Sequence, residues 1–196
     1  DLGRFSNLEM AASYVSRPLV GPGIAFVFIM LAGLVAAMSL GQSGNTLIIM
    51  IAAAFGAYMA LNIGANDVAN NMGPAVGANA LTMGGAIVIA AIFESVGALV
   101  AGGDVVSTIS KGIIAPDRIG NADVFIQAMM AALLASALWV NLATWIGAPV
   151  STTHSVVGGV MGAGIAAAGF GAINWGMMGA IAASWVISPV LGGLSA

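Results

Sequence analysis

The sequence predicts an all-α integral membrane protein, a polytopic helical bundle that includes broken or re-entrant half-helices. Apolar residues make up 60% of the chain and charged residues only 6%, with a mean hydropathy of +1.07, whereas soluble domains average about 25% charged residues. Several apolar runs have the length of about 20 residues that a helix needs to cross a bilayer. The 28 glycines suit helices that pack closely in lipid. Four Lys and Arg residues exclude nucleic-acid binding, and the lack of cysteine excludes disulfides and thiolate metal sites.

The elements follow from the apolar runs and from the glycines, prolines and polar residues that separate them. Residues 1–20 are predicted to form a polar, interfacial lead-in, and residues 21–45 an additional N-terminal transmembrane helix with its turn. Further transmembrane helices are predicted at residues 46–63, 82–101, 124–146 and 175–194. Residues 116–123 should form a polar loop, and residues 151–169, which are few and rich in glycine, a re-entrant half-helix.

A first polar string, Gly-Ala-Asn-Asp-Val-Ala-Asn-Asn at residues 64–71, adjoins the second apolar run. A glycine and Pro74 follow, so we expect the backbone to unwind here before a half-helix resumes. With its freed carbonyl groups, the side chains of Asn66, Asp67 and Asn70 would supply hard oxygen ligands, which suit Na⁺. The alternative is that the string only caps a helix end at the membrane surface.

A second polar string, Pro-Val-Ser-Thr-Thr-His at residues 149–154, favours an anion. Proline at a helix start, followed by Ser151, Thr152 and Thr153, presents free backbone N–H groups and hydroxyls to an oxyanion. His154, the single histidine of the chain, would donate to the anion or relay a proton. The alternative is an ordinary serine or threonine N-cap beside a packed histidine.

Glu94 lies near the middle of the third predicted transmembrane helix. A charged side chain there costs roughly 2.5–3.5 kcal/mol on insertion scales, so we expect a cation, a proton or a partner helix to compensate it. Cation ligands beside an anion cradle, both at broken helices, are typical of secondary transporters.

Five segments share their order and spacing with one known family. They are GANDVAN at residues 64–70, IFESVG at 92–97, TISKGII at 108–114, PVSTTH with a later Val-Gly at 149–158, and SWVISP at 184–189. These segments resemble the inorganic phosphate transporter (PiT) family of sodium- or proton-coupled permeases. The resemblance extends from about residue 46 to the end of the chain and is closer to the sodium-coupled members.

The resemblance implies secondary active transport of inorganic phosphate, coupled to Na⁺ by alternating access, in a multi-pass protein of the plasma or inner membrane. It implies two inverted halves, of which residues 46–196 would be the N-terminal repeat. Each polar string occurs once, and the chain begins at Asp1 and ends directly after a hydrophobic segment. We therefore expect a second half outside this chain, or a second copy in a homodimer, to complete the site.

The resemblance also implies the roles of individual residues. Na⁺, the coupling ion, would be held by Asn66, Asp67 and Asn70. Phosphate would be bound by Asn70, Glu94, Ser151, Thr152, Thr153 and His154. No cofactor is implied.

Other functions stay open at this point. The same strings would serve an H⁺-coupled phosphate permease or a sulfate permease, although a carboxylate such as Glu94 or Asp67 favours phosphate, which can donate a hydrogen bond where sulfate cannot. An intramembrane hydrolase would use Ser151, His154 and Asp67 as a triad, but the sequence lacks the Gly-x-Ser-x-Gly motif. An accessory half that binds a partner and transports nothing is the remaining alternative.

Overall fold

The computed structural model describes residues 2–40, 45–114 and 116–195, with side chains from Pro18 onwards except at residues 110, 111, 116 and 117. These residues form seven α-helices joined by short turns: α1 (Leu2–Leu40), α2 (Thr46–Gly77), α3 (Met83–Ser107), α4 (Pro116–Ile119), α5 (Ala122–Trp145), α6 (Thr152–Ala168) and α7 (Trp175–Ser195). Five helices (α1, α2, α3, α5 and α7) are long and apolar enough to cross a membrane. The predicted all-helical, multi-pass membrane protein is therefore confirmed.

The described chain divides into two compact units, residues 1–61 and residues 62–196. In the first unit, α1 continues through Pro18 and Pro22, so the predicted lead-in forms the first part of this helix. The apolar part of α1, Pro18–Leu40, is the part long enough to cross a membrane. A Cβ on Gly33 would lie 3.2 Å from the Met50 carbonyl oxygen, so α1 and α2 approach closely at this glycine. The predicted turn at residues 41–45 lies outside the described residues except for its last one.

The second helix corrects one prediction. α2 runs without a break from Thr46 to Gly77, so the expected unwinding at the first polar string is wrong. Two features explain the continuity. Asn70 Nδ2 donates to Asn66 Oδ1 at 3.0 Å along one face of the helix, which is the i, i+4 pairing that supports a helix. Pro74 removes the hydrogen bond to the Asn70 carbonyl, but it lies only three residues before the end of α2 at Gly77, so most of the helix is unaffected.

The core of the second unit lies where α6 packs against α5 and against the segments that flank α4 and precede α7. Its buried residues are Ile113, Ile114, Ala132, Val157, Val160, Ala172 and Ile173. A Cβ on Gly159 would clash with Ser136 Oγ and lie 2.8 Å from the Ala132 carbonyl oxygen, so α6 and α5 touch at this glycine. Gly158 has no such neighbour within 4 Å. The extent of α6 matches the predicted half-helix, and its 17 residues are fewer than a comfortable crossing needs.

The region between α3 and α5 is more helical than predicted. α3 extends to Ser107 and continues as a π-helical turn, Thr108–Gly112. The loop predicted at residues 116–123 contains α4, and α5 already begins at Ala122. Asn121 starts α5 as its N-cap, where its side chain accepts a hydrogen bond from the Asp123 N–H at 2.8 Å.

Candidate functional site

The two polar strings meet through one hydrogen bond. Thr152 Oγ1 donates to Asp67 Oδ2 at 2.9 Å, and the two residues lie 85 positions apart in the chain. Thr152 is buried, with 8% of its surface exposed, and Asp67 is half-buried. A hydrogen bond to a carboxylate is stronger than one between neutral groups, so this contact fixes the start of α6 against α2.

A chain of amide and hydroxyl groups continues from the first polar string to α5. Asn66 Nδ2 donates to Thr144 Oγ1 at 3.1 Å, and Thr144 Oγ1 donates to the Val140 carbonyl oxygen at 2.9 Å. One helical turn earlier, Asn141 Nδ2 donates to Asn62 Oδ1 at 2.9 Å. Asn62 and Asn66 each keep only 4% of their surface exposed. Buried polar groups in a membrane segment need such partners.

Sequence reasoning missed three members of this network: Asn62, Asn141 and Thr144. Two spacings could have found them. Asn62 lies one helical turn before Asn66, and Asn141 and Thr144 are three apart in a helix, so each set shares a face.

One cavity in this region offers oxygen atoms. It has a volume of ≈ 290 Å³, and its lining includes Asn66, Asn70 and Thr144 together with the chain that follows α5. α5 ends there in a Schellman motif, in which the Gly147 N–H donates to the Thr144 carbonyl at 3.1 Å and the Ala148 N–H to the Ala143 carbonyl at 2.8 Å. The C-terminal end of a helix carries a partial negative charge, so this cavity favours a cation.

The free backbone carbonyls expected in the first polar string are largely absent, because α2 stays helical. Asn70 is the exception. In a helix, its carbonyl oxygen would accept from the N–H of the residue four positions on, and that residue is Pro74, which has none. Side-chain and main-chain oxygens of Asn70 are thus both candidates for a cation.

The second polar string begins in the connection between α5 and α6 and continues into the first turn of α6. Ser151 is the N-cap of α6 and its Oγ accepts from the His154 N–H at 3.2 Å, so the N-cap interpretation describes Ser151 correctly. The positive end of α6 lies beside an open cavity of ≈ 430 Å³ that is lined in part by Ser151, His154 and Trp139. This end of α6 favours an anion.

The three hydroxyls of the second polar string have different surroundings. Ser151 caps the helix, Thr152 donates to Asp67, and the exposed Thr153 lines a further cavity of ≈ 280 Å³ with Asp104 and Trp185 among its other residues. The His154 ring lies 3.7 Å from the Trp185 ring, centroid to centroid. His154 is therefore a packed histidine at the mouth of the anion-favouring end.

The hydrolase triad is not assembled in the described residues. Ser151 Oγ pairs with the main-chain N–H of His154 and not with its imidazole. Asp67 pairs with Thr152, so no carboxylate orients the histidine as a triad requires.

Glu94 stands apart from the two strings. It is exposed on α3, and it makes no hydrogen bond to the part of the chain that the structure describes. The partner that its cost of insertion requires is not found among these residues.

Comparison with known proteins identifies the family. The model of the "Phosphate transporter family" matches residues 63–196. A protein of Helicobacter pylori named "Putative phosphate permease" is 51% identical over all 196 residues, which are 37% of its own length. A similarly named protein of Thermococcus kodakarensis is 49% identical over 76% of this chain and 36% of its own.

A solved structure shows the same fold. The chain called "The sodium-dependent phosphate transporter" superposes with a TM-score of 0.69 at 44% sequence identity, covering 76% of this chain and 37% of that one. Our chain thus spans little more than a third of the length of these relatives. The matched residues include both polar strings, the C-terminal part of α2 and all of α3 to α7 that the structure describes. The chain belongs to the phosphate transporter family, a family of membrane transporters and not of enzymes.

Proposed function

We propose that the protein to which this chain contributes transports inorganic phosphate across the plasma or inner membrane, coupled to Na⁺ by alternating access. The family and the names of the relatives support phosphate as the substrate, and the name of the solved relative supports Na⁺. The observation that carries the proposal is the Thr152–Asp67 hydrogen bond. It joins a cation-favouring string directly to an anion-favouring helix end.

Na⁺ is held by Asn66, Asp67 and Asn70 in this proposal. The C-terminal end of α5, beside the cavity that contains Asn66 and Asn70, adds partial negative charge. Oxygen ligands of this kind suit Na⁺ and are poor for transition metals. No further cofactor is required.

Phosphate is bound at the start of α6 by main-chain N–H groups and by Ser151, Thr153 and His154. Thr152 contributes its main-chain N–H, since its hydroxyl proton is donated to Asp67. Glu94 completes the site once the rest of the transporter, either a second half or a second copy of this chain, faces it, whereas Asn70 belongs to the Na⁺ site. The exposure of Glu94, Ser151, Thr153 and His154 suits such a role.

Coupling follows from the same bond. Thr152 is the first residue of α6, and its side chain holds a carboxylate of the Na⁺ site. A cation that is coordinated by Asp67 changes the position of the helix end that binds phosphate. Na⁺ and phosphate therefore each affect the affinity of the protein for the other ligand. Such coupling is reciprocal by thermodynamic necessity.

Uptake of labelled phosphate into proteoliposomes that contain the complete transporter tests the proposal. We expect uptake under an inward Na⁺ gradient, competition by unlabelled phosphate, and little competition by sulfate. Uptake driven only by a proton gradient would replace Na⁺ by H⁺ as the coupling ion. Equal competition by sulfate would replace phosphate by a broader class of tetrahedral oxyanions, and no uptake under either gradient would overturn the proposal.

A further inference from the structure

We propose that Thr144 sets the polarity of the Asn70 side-chain amide, so that Asn70 presents its carbonyl oxygen, and not its NH₂ group, as the free end. Thr144 lies outside both polar strings, on α5. Its role is that of a positioning residue, which acts on the cation through two asparagines. The inference rests on the proposed function, because its consequence is the binding of Na⁺ at Asn70.

The orientation of the hydrogen bonds is set first at the carbonyl group of Val140. A threonine hydroxyl has a single proton, and that of Thr144 is donated to the Val140 carbonyl oxygen at 2.9 Å. Towards Asn66 the Thr144 oxygen can therefore only accept. Asn66 must turn its Nδ2 to Thr144, at 3.1 Å, and its Oδ1 is left for Asn70.

The next link fixes Asn70. Because Asn66 offers an oxygen, Asn70 turns its Nδ2 towards it, at 3.0 Å. The remaining polar atom of Asn70 is Oδ1, for which the described part of the chain supplies no donor. In this arrangement the side chains of Asn70, Asn66 and Thr144 all donate in the direction of Val140, and the Asn70 oxygen is left to bind a ligand.

The burial of Asn66 limits the alternatives to this orientation. Asn66 is 4% exposed, so a reversed amide would place its oxygen against Thr144 and its NH₂ group against the NH₂ group of Asn70. The Thr144 hydroxyl would then have to abandon Val140 to restore a hydrogen bond. Reversal therefore requires the Thr144 hydroxyl and the exposed Asn70 amide to turn together with Asn66, and it removes the hydrogen bond from Thr144 to Val140.

The free oxygen matches the other features of the same cavity. The cavity of ≈ 290 Å³ contains Asn66, Asn70 and Thr144 and lies at the C-terminal end of α5, where the helix carries partial negative charge. The Asn70 main-chain carbonyl lacks its helical donor because of Pro74. All of these groups repel phosphate and attract a hard cation. At Asn70, then, the ligand is Na⁺, and the substrate lies on the other side of the turn, at the start of α6.

The test compares Thr144→Val, which keeps the shape of the side chain and removes its acceptor, with Thr144→Ser, which keeps the acceptor. A matched control is Thr108→Val, because Thr108 Oγ1 also donates to the carbonyl four residues earlier, at 3.0 Å, without a further link. Two quantities are measured on the complete transporter: the Na⁺ dependence of its melting temperature without phosphate, and the half-saturating concentrations of Na⁺ and phosphate in uptake.

We expect Thr144→Val to raise the half-saturating Na⁺ concentration in both assays by roughly 5- to 20-fold. The half-saturating phosphate concentration at saturating Na⁺ should change by less than about twofold, and Thr144→Ser and Thr108→Val should resemble the wild type. If Thr144→Val does not fold, Thr144→Cys, whose sulfur is a weak acceptor, should give a smaller rise in the same Na⁺ values.

Equal Na⁺ values for the wild type, Thr144→Ser and Thr144→Val would overturn the inference while leaving the proposed function intact. A shift confined to phosphate would also overturn it. A wild-type protein that responds to no Na⁺ in either assay would instead overturn the Na⁺-coupled function itself, and the inference with it.

Discussion

Replacement of Thr152 by valine removes the one bond that joins the two polar strings. Valine keeps the shape of the buried side chain and takes away the hydroxyl that donates to Asp67 Oδ2 at 2.9 Å. A hydrogen bond to a charged group contributes about 1.5–3 kcal/mol, and about 1.4 kcal/mol is tenfold in an equilibrium constant. Asp67 is only half-buried, so water replaces part of the bond. We therefore expect the lower end of this range, a loss of about 1.5 kcal/mol in the free energy of unfolding, together with a rise in the half-saturating Na⁺ concentration because Asp67 is no longer held in position.

The assay is the initial rate of labelled phosphate uptake by the complete transporter in proteoliposomes, first with Na⁺ varied at saturating phosphate and then the reverse. Thr152→Ser keeps the hydroxyl and should restore Na⁺ dependence. Thr153→Val removes the neighbouring hydroxyl, which does not contact Asp67, and should affect phosphate more than Na⁺. A Thr152→Val variant that shifts only the half-saturating phosphate concentration would refute this role, because the hydroxyl would then bind phosphate directly. Equal Na⁺ dependence of uptake for Thr152→Ser and Thr152→Val would refute it as well.

Three further predictions concern other residues. Asp67→Asn keeps an oxygen that can accept a hydrogen bond from Thr152, so the melting temperature should change little. The half-saturating Na⁺ concentration of uptake should rise at least about tenfold. An unchanged response to Na⁺ would show that Asp67 is not a ligand of the cation. Glu94→Gln removes a charge from a membrane helix, so the melting temperature should stay the same or rise. Phosphate uptake should be lost or should no longer depend on Na⁺. Normal Na⁺-coupled uptake would indicate that Glu94 has only a structural role. Gly159→Ala should lower the free energy of unfolding by about 1–3 kcal/mol in denaturation measurements, because its methyl group meets α5. Gly158→Ala is the control and should be neutral, since its methyl group meets nothing within 4 Å. Equal stabilities of the two variants would contradict the packing of α6 against α5.

Hydropathy alone predicted the membrane helices, because the length and composition of an apolar run decide whether it can cross a bilayer. The helix predicted at residues 175–194 is observed as Trp175–Ser195, and the one at 124–146 as Ala122–Trp145. Boundaries at polar residues were less predictable. The first polar string contains residues that favour caps and turns, yet hydrogen bonds from Asn66 and Asn70 along and between helices keep α2 intact.

The candidate site was predicted only as two separate strings. The residue types of the first string indicated a cation site, and those of the second string an anion site. The contact between the strings through Asp67 and Thr152 depends on how α2 and α6 pack, which no local pattern reveals. Thr144 shares a helix face with Asn141, which is a local signal, but its link to Asn66 depends on the packing of α2 against α5. Glu94 was identified as a candidate because of the free-energy cost of a charged side chain in a membrane helix. No described residue compensates its charge by a hydrogen bond or an ion pair.

We propose that the Na⁺ site and the phosphate site are linked through Asp67 and Thr152. The most direct test of this link is the affinity of the purified complete transporter for phosphate, measured calorimetrically over a series of Na⁺ concentrations with choline keeping the ionic strength constant. We expect phosphate to bind more tightly as the Na⁺ concentration rises, and Thr152→Val to reduce this dependence. An affinity for phosphate that is the same at every Na⁺ concentration would contradict it.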